Sequence, residues 1–346
     1  MGVRESARCG VQYSNTPFLF FMKALSLLSG GLDSMLTARL ILDQGIDVDG
    51  IGFFTPFFSS DRGRIAADRL GIPFYPFDIT GEFIRILQKP RYGYGRNCNP
   101  CTDCHRLMVA TAAGKLEERG AAFIITGEVL GQRPKSQTRD ALNAVAKGAG
   151  RGLLLRPLSA LLLEETIPEK KGWVDRSRLL GLSGRSRKEQ LALAARYGLE
   201  GYSTPAGGCL LTEEHYCRRL KELKEREGWN AADLELLRVG RHFRLPSGAK
   251  VISGRDEGEN LRLEQLAADG DLLLQAADKP GSLILLRAPG GSSPGDLELA
   301  AAVCARYSKE KGRPSLEIAC RKKAGMEKKL FFASPLPDDV LEEIRI

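Results

Sequence analysis

Ser29-Gly30-Gly31-Leu32-Asp33-Ser34 stands between the strand-like run Lys23 to Leu28 and an amphipathic stretch from Ser34 to Gln44. Paired glycines at such a junction let backbone amides approach a phosphate, the helix N-terminus adds partial positive charge, and Ser29 and Ser34 bring hydroxyls. A pyrophosphate suits this loop. Asp33 would repel bare phosphate, so its chemistry suits holding Mg2+. The pattern is neither a Walker loop, which needs Gly-Lys-Ser/Thr, nor Gly-x-Gly-x-x-Gly. A plain glycine turn capped by Asp33 or Ser34 is the bland alternative.

Outward from the loop, strand-like and helix-like stretches alternate: 48–54 then 62–70, 73–79 then 82–88, and, after the cysteines, 106–119 then 122–126. That rhythm predicts an α/β fold with a parallel sheet. Further strands are expected at 153–155, near Phe243 and Val251, at 282–287 and at 315–320, with helices at 188–197, 213–227 and 296–311. The expected divisions are an extension over 1–21 with no chemistry from Cys9, a first domain over 22–212, a middle segment over 213–279 and a last domain over 280–346.

A chain of 346 residues is long enough for two to three domains. Its apolar runs, Phe18 to Met22 and Ala160 to Leu163, fall far short of the ~20 residues a bilayer span needs, so no membrane is expected. The net charge of +8 favours a polyanionic partner. Eight cysteines without a cleavable signal pattern suggest a reducing, cytoplasmic setting, where thiols serve metals and catalysis more often than disulfides.

Cys98, Cys101 and Cys104 recur every three residues, and Cys209 follows the Gly207-Gly208 pair far downstream. Thiols at this spacing can bind a metal or cluster, or form a redox pair. One reading is structural zinc held by Cys98, Cys101, Cys104 and either Cys209 or His105. The other is a three-cysteine 4Fe-4S cluster with one open iron. Cys98 decides between them. Cys217, Cys304 and Cys320 read as small buried residues.

The loop closely resembles the SGGxDS loop of the PP-loop ATP pyrophosphatase superfamily, with the flanking strand and helix in place. Downstream, Thr126-Gly127-Glu128-Val129-Leu130-Gly131-Gln132 through Ser136-Gln137-Thr138, and then Leu155-Arg156-Pro157-Leu158, resemble segments of tRNA 4-thiouridine synthetases, and Asn99-Pro100-Cys101-Thr102-Asp103-Cys104 resembles tRNA 2-thiouridylases. The resemblance covers roughly residues 23 to 212. It implies a PP-loop fold, adenine nucleotide alpha hydrolase-like, with helices on both faces of the sheet, and an ATP-dependent tRNA sulfurtransferase giving 4-thiouridine or 2-thiouridine. It further implies that Ser29, Gly30, Gly31, Asp33 and Ser34 bind ATP and Mg2+, and that Gly127, Glu128, Gln132, Ser136 and Gln137 line the adenylate or the base. Cys101, Cys104 and Cys209 would carry the iron-sulfur cluster or a persulfide, and with Asp33 form the catalytic set.

From residue 281 the sequence resembles the RNA-binding domain of NFACT-type proteins, implying a smaller α+β domain that contacts tRNA through Arg306, Lys309, Arg321, Lys322 and Lys323. Between Arg306 and Lys329 there are nine Lys or Arg against three Glu, a patch suited to phosphates. Neither the tRNA-binding domain that precedes the loop in 4-thiouridine synthetases nor a rhodanese-like domain stands in this sequence. The partners implied are tRNA and a sulfur donor, either a cysteine desulfurase or inorganic sulfide, and a homodimer is compatible with the resemblance. Two other readings stay open: a PP-loop ligase or amidotransferase acting on a small metabolite, and a noncatalytic zinc-containing RNA-binding protein.

Overall fold

The computed structural model describes residues 22–150, 152–202, 208–226, 228–229, 231–278, 281–323, 325 and 327–346. The expected 1–21 extension, with Cys9, lies outside the described residues, as do Thr204 to Gly207. Two units divide the chain. The first comprises the segment up to Gly52, Ser60–Phe77 and His105–Thr204, and the second Phe53–Ser59, Asp78–Cys104 and Pro205–Ile346.

In chain order the sheet-forming part of the first unit runs β1 (Lys23–Leu27), α1 (Leu32–Leu42), β2 (Asp47–Phe54), α2 (Asp61–Leu70) and β3 (Phe74–Asp78). After α3 (Thr80–Gln88) come α4 (Cys101–Ala113), α5 (Leu116–Arg119), β4 (Phe123–Thr126), α6 (Arg139–Ala146), β5 (Leu154–Leu155), α7 (Ile167–Lys170) and α8 (Lys188–Arg196). The strands form one sheet in the order β3-β2-β1-β4-β5, with β1 parallel to β2 and β4, and β4 parallel to β5. This is the α/β architecture expected from the alternation. Consecutive residues Ala24 to Ser26 and Phe123 to Thr126 are all buried, as strands covered on both faces must be. On one of those faces Ala24, Phe123 and Ile125 pack with Ala38 and Ile41 of α1.

The strand order reverses between β1 and β4. Ligands of open parallel sheets bind at the carboxyl ends of the strands beside such a reversal. The loops leaving β1 and β4 flank this reversal.

The second unit continues with α9 (Glu214–Arg226), α10 (Ala231–Leu236), β6 (Arg241–Arg244), β7 (Lys250–Ser253), α11 (Glu257–Leu266) and β8 (Leu272–Ala276). It ends with β9 (Ile284–Arg287), α12 (Pro294–Arg306), β10 (Leu316–Lys322), β11 (Lys329–Ala333) and α13 (Asp338–Glu343). Strands from both sides of residue 280 interleave in one antiparallel sheet, β11-β10-β8-β9-β7-β6. One face packs Phe243, Val251, Leu274, Ile284, Leu286 and Ile318 with the small residues of α12. Ser293 and Asp296 close a reciprocal capping box at the start of α12, with Pro294 in its first turn. Among the described residues no helix is long and apolar enough to cross a membrane.

Candidate active site

Gly30 leaves β1 with φ +77°, and a Cβ on it would lie 2.3 Å from the Arg62 carbonyl oxygen, so only glycine fits. The first helix opens at Leu32 with Gly31 as its N-cap and no side chain capping it. The cap expected from Asp33 or Ser34 is not formed: the Ser34 hydroxyl instead turns back to donate to the Gly31 carbonyl at 2.8 Å. Ser29 Oγ donates to Ser34 Oγ at 3.3 Å. Both hydroxyls thus border the same turn.

The loop leaving β4 closes on this turn. A Cβ on Gly127 would lie 2.6 Å from the Asp33 carbonyl carbon and the Ser34 nitrogen, so glycine is what permits the approach. Gln132 Nε2 donates to Asp33 Oδ2 at 2.9 Å. The Gly131 amide donates to the Gln137 carbonyl at 2.7 Å, folding Gln137 back, and Ser136 is buried in the same loop. Among the described residues Asp33 Oδ1, Gln132 Oε1 and Gln137 Oε1 are buried without a hydrogen-bond partner. An unmade buried hydrogen bond costs about 1–3 kcal/mol, so three oxygens in one loop pair point to a ligand that supplies the missing contacts. Oxygen donors of this kind fit Mg2+.

Glu128 is 4% exposed, and its carboxylate faces inward. Arg156 Nε donates to it at 2.9 Å, His105 Nδ1 lies 3.0 Å from it, and Thr126 Oγ1 donates at 3.2 Å. Burial pushes the carboxyl up, but the Arg156 charge and the His105 hydrogen bond outweigh that and hold it at about 2. Arg156 also donates to the Leu142 carbonyl at 2.8 Å. Sequence reading named Glu128 without these partners. The arginine of the Leu155-Arg156-Pro157 stretch, beside a buried acid at the next strand end, was the signal available.

In the second unit the thiols arrange differently from the zinc reading. Cys98 and Cys217 form a disulfide, with Cα atoms 5.9 Å apart. Cys217 is thus no lone buried residue, and Cys98 is withdrawn from any ligand set. The backbone brings them together: the Cys98 amide donates to the Leu211 carbonyl at 3.3 Å and Asn97 Nδ2 to the Thr212 carbonyl at 2.7 Å. Cys304, on the buried face of α12, and Cys320 lie in the core of the antiparallel sheet, as expected.

Cys101, Cys104 and Cys209 are not disulfide-bonded. Burial, and then the neighbouring Cys209, Cys101 and Asp103, push the Cys104 thiol well above its usual range. Burial pushes Cys209 up to about 12, with Cys101 adding to the rise. The three thiols therefore share one neighbourhood. Among the described residues no group of three His, Cys, Asp or Glu is arranged to hold a single metal ion. A tetrahedral zinc would need its sulfurs about 3.8 Å apart. Thiolates are soft ligands of the kind that both zinc and iron-sulfur clusters take.

Of the residues expected to meet RNA, Lys309 and Lys322 are exposed. Three are engaged within the chain: Arg306 pairs with Asp338, Arg321 pairs with Glu264, and Lys323 Nζ donates to the Gln265 and Ala267 carbonyls.

Comparison with known proteins matches two separate stretches of the chain. Residues 21–170 match the family described as thiamine biosynthesis protein (ThiI). Residues 240–345 match the NFACT protein RNA binding domain. Proteins named "Probable tRNA sulfurtransferase" from Staphylococcus aureus strains Newman and COL are 31% identical over 160 residues, which is 43% of this chain and 37% of theirs. The match thus spans little more than a third of those relatives. A solved 4-thiouridine synthetase–RNA complex with bound ATP is 24% identical over 62% of this chain and 52% of its own, with a TM-score of 0.40. The C-terminal part of a fibronectin/fibrinogen-binding protein from Streptococcus suis is 14% identical over 77% of this chain and 97% of its own, with a TM-score of 0.30.

Proposed function

We propose that this chain is an ATP-dependent tRNA thiolase that converts a uridine carbonyl to a thiocarbonyl, giving 4-thiouridine or 2-thiouridine. The observation that carries the reading is the joining of the β1 and β4 loops through Asp33 and Gln132, with unpartnered oxygens left beside them. The match of residues 21–170 to the family described as thiamine biosynthesis protein (ThiI), and the 31% identity over 160 residues to proteins named probable tRNA sulfurtransferase, support it.

In this reading the Gly30-Gly31 backbone and the Ser29 and Ser34 hydroxyls hold the ATP phosphates. Asp33, with Gln132 and Gln137, would hold Mg2+, which offsets charge on the departing pyrophosphate. The uridine oxygen attacks the α-phosphorus, pyrophosphate leaves, and the adenylated oxygen becomes a good leaving group. Sulfur then attacks the carbon and AMP departs. An iron-sulfur cluster, held by Cys101, Cys104 and Cys209, would supply a sulfur-carrying centre with an open iron. The Arg156–Glu128–His105 chain fixes the strand end from which Gly127 reaches the phosphate loop. Lys309 and Lys322, both exposed, contribute positive charge for the tRNA backbone, whereas Arg306, Arg321 and Lys323 are held within the chain.

The test is anaerobic incubation of the full chain with ATP, unmodified tRNA and hydrosulfide, following pyrophosphate and thionucleosides by mass spectrometry. Thiouridine formed with stoichiometric pyrophosphate is expected. Pyrophosphate formed equally well without tRNA would point instead to a small-metabolite ligase, and stoichiometric zinc without iron would overturn the cluster.

A further inference from the structure

The antiparallel sheet has two faces, and only one is covered along its full width. Phe331 and Ala333 of β11 pack into the core with α12. Strand alternation turns their neighbours Leu330 and Phe332 to the opposite face. There Leu330 stands opposite Ala319, itself opposite Gln275, and Phe332 stands opposite Glu317. The helix α11 covers this second face only over β7, β8 and β9, where Leu263 and Ala267 pack with Ile252, Leu273, Leu283 and Leu285. Its C-terminal end is fastened beside β10 by the Arg321–Glu264 pair and by Lys323. Beyond that point the face is open: Leu330 is 56% exposed and Phe332 78%. Large apolar side chains this exposed on an edge strand invite aggregation unless a partner uses them.

The surroundings say what kind of partner. Lys322, Lys323, Lys328 and Lys329 are all exposed, and they cluster where β10 ends and β11 begins. Leu330 and Phe332 follow directly from this basic end. An exposed aromatic beside clustered lysines on a sheet is the arrangement that accepts unpaired bases by stacking while lysines take the phosphates. Duplex RNA hides its bases and offers nothing to stack on. Glu317, opposite Phe332, directs the phosphate path toward the lysine end of the strand and away from itself.

We infer that the open face of β10 and β11 binds a single-stranded RNA segment, with a base stacked on Phe332 and a neighbouring phosphate on Lys328. This rests on the reading of the chain as an RNA-acting protein and names the form of RNA that the C-terminal region takes. Phe332 is exposed, so replacing it leaves the core intact.

The full chain would be titrated with a fluorescent oligouridine strand and with duplex RNA of equal length, with light scattering on the same samples. Phe332→Ala should weaken binding of the single strand roughly five- to a hundredfold, and Phe332→Tyr should restore it to within about twofold. Duplex binding should change little. Lys328→Glu should reduce the salt dependence of binding, whereas Phe332→Ala should not. Unchanged single-strand affinity in Phe332→Ala overturns the inference. So does a dimer that Phe332→Ala converts to monomer without loss of RNA affinity, which would make the face a contact between copies. Failure of the thiolase reading is separable: it removes thiouridine formation and leaves these affinities as they are.

Discussion

Gln132 Nε2 donates to Asp33 Oδ2 at 2.9 Å, across 99 residues of sequence. The bond fixes one carboxylate oxygen of Asp33 and leaves the other, Oδ1, buried without a partner. Asp33→Ala removes the oxygens proposed to hold Mg2+ and should lower ATP-dependent pyrophosphate release at least about a hundredfold. Gln132→Ala removes only the orienting bond and should cost roughly tenfold. Pyrophosphate release checks both, with thermal unfolding of each variant as the control. Equal rates in Asp33→Ala and the parent chain would remove Asp33 from the site.

Glu128→Gln tests the buried chain of Arg156, Glu128 and His105. The substitution keeps the shape but leaves the Arg156 guanidinium, 6% exposed, without its counter-charge. Breaking a buried pair in this way costs about 3–5 kcal/mol. Urea unfolding should show that loss. A loss below about 1 kcal/mol would mean that the pair is solvated, as surface pairs are.

The same carboxylate predicts a pH dependence. Its folded value, about 2, lies below the ordinary carboxylate range it takes in the unfolded chain. Its stabilising contribution is therefore complete above that ordinary range and is lost as pH falls toward about 2. The gap in urea midpoint between the parent chain and Glu128→Gln should stay level from neutral pH down to the ordinary carboxylate range and narrow below it. A gap that widens on acidification would contradict the assigned direction.

The first sheet was readable because its strands are short apolar runs punctuated by glycine, and the loop after β1 carries paired glycines, the first of them, Gly30, at a positive φ. The antiparallel sheet was harder. Leu272 to Ala276 and Lys329 to Ala333 are five-residue strands next to charge-rich turns, too short for alternation to declare itself, and β11 gains its identity only by pairing with β10. Within the site, glycines and cysteines were legible because their chemistry is narrow. Partners of long polar side chains were not: Arg321 and Arg306 read as free charge, yet Glu264 and Asp338, 57 and 32 residues away, engage them. No local pattern encodes such distant pairings.

Cys98 and Cys217 supply the last prediction, because their bond decides which thiols remain for chemistry. The disulfide closes a loop of 119 residues, and cross-linking a loop of this size stabilises by typically 2–4 kcal/mol. The Cys98→Ser/Cys217→Ser pair should lose about that much in urea unfolding while retaining iron after anaerobic reconstitution. Cys101→Ser, Cys104→Ser and Cys209→Ser should each lose iron with less than about 1 kcal/mol of change, since none of them cross-links the chain. Non-reducing peptide mapping decides the assignment directly. A peptide joining Cys98 to Cys217 is expected; one joining Cys98 to Cys101, Cys104 or Cys209 would dissolve the three-thiol set, and iron lost from the Cys98→Ser/Cys217→Ser pair would make Cys98 a ligand after all.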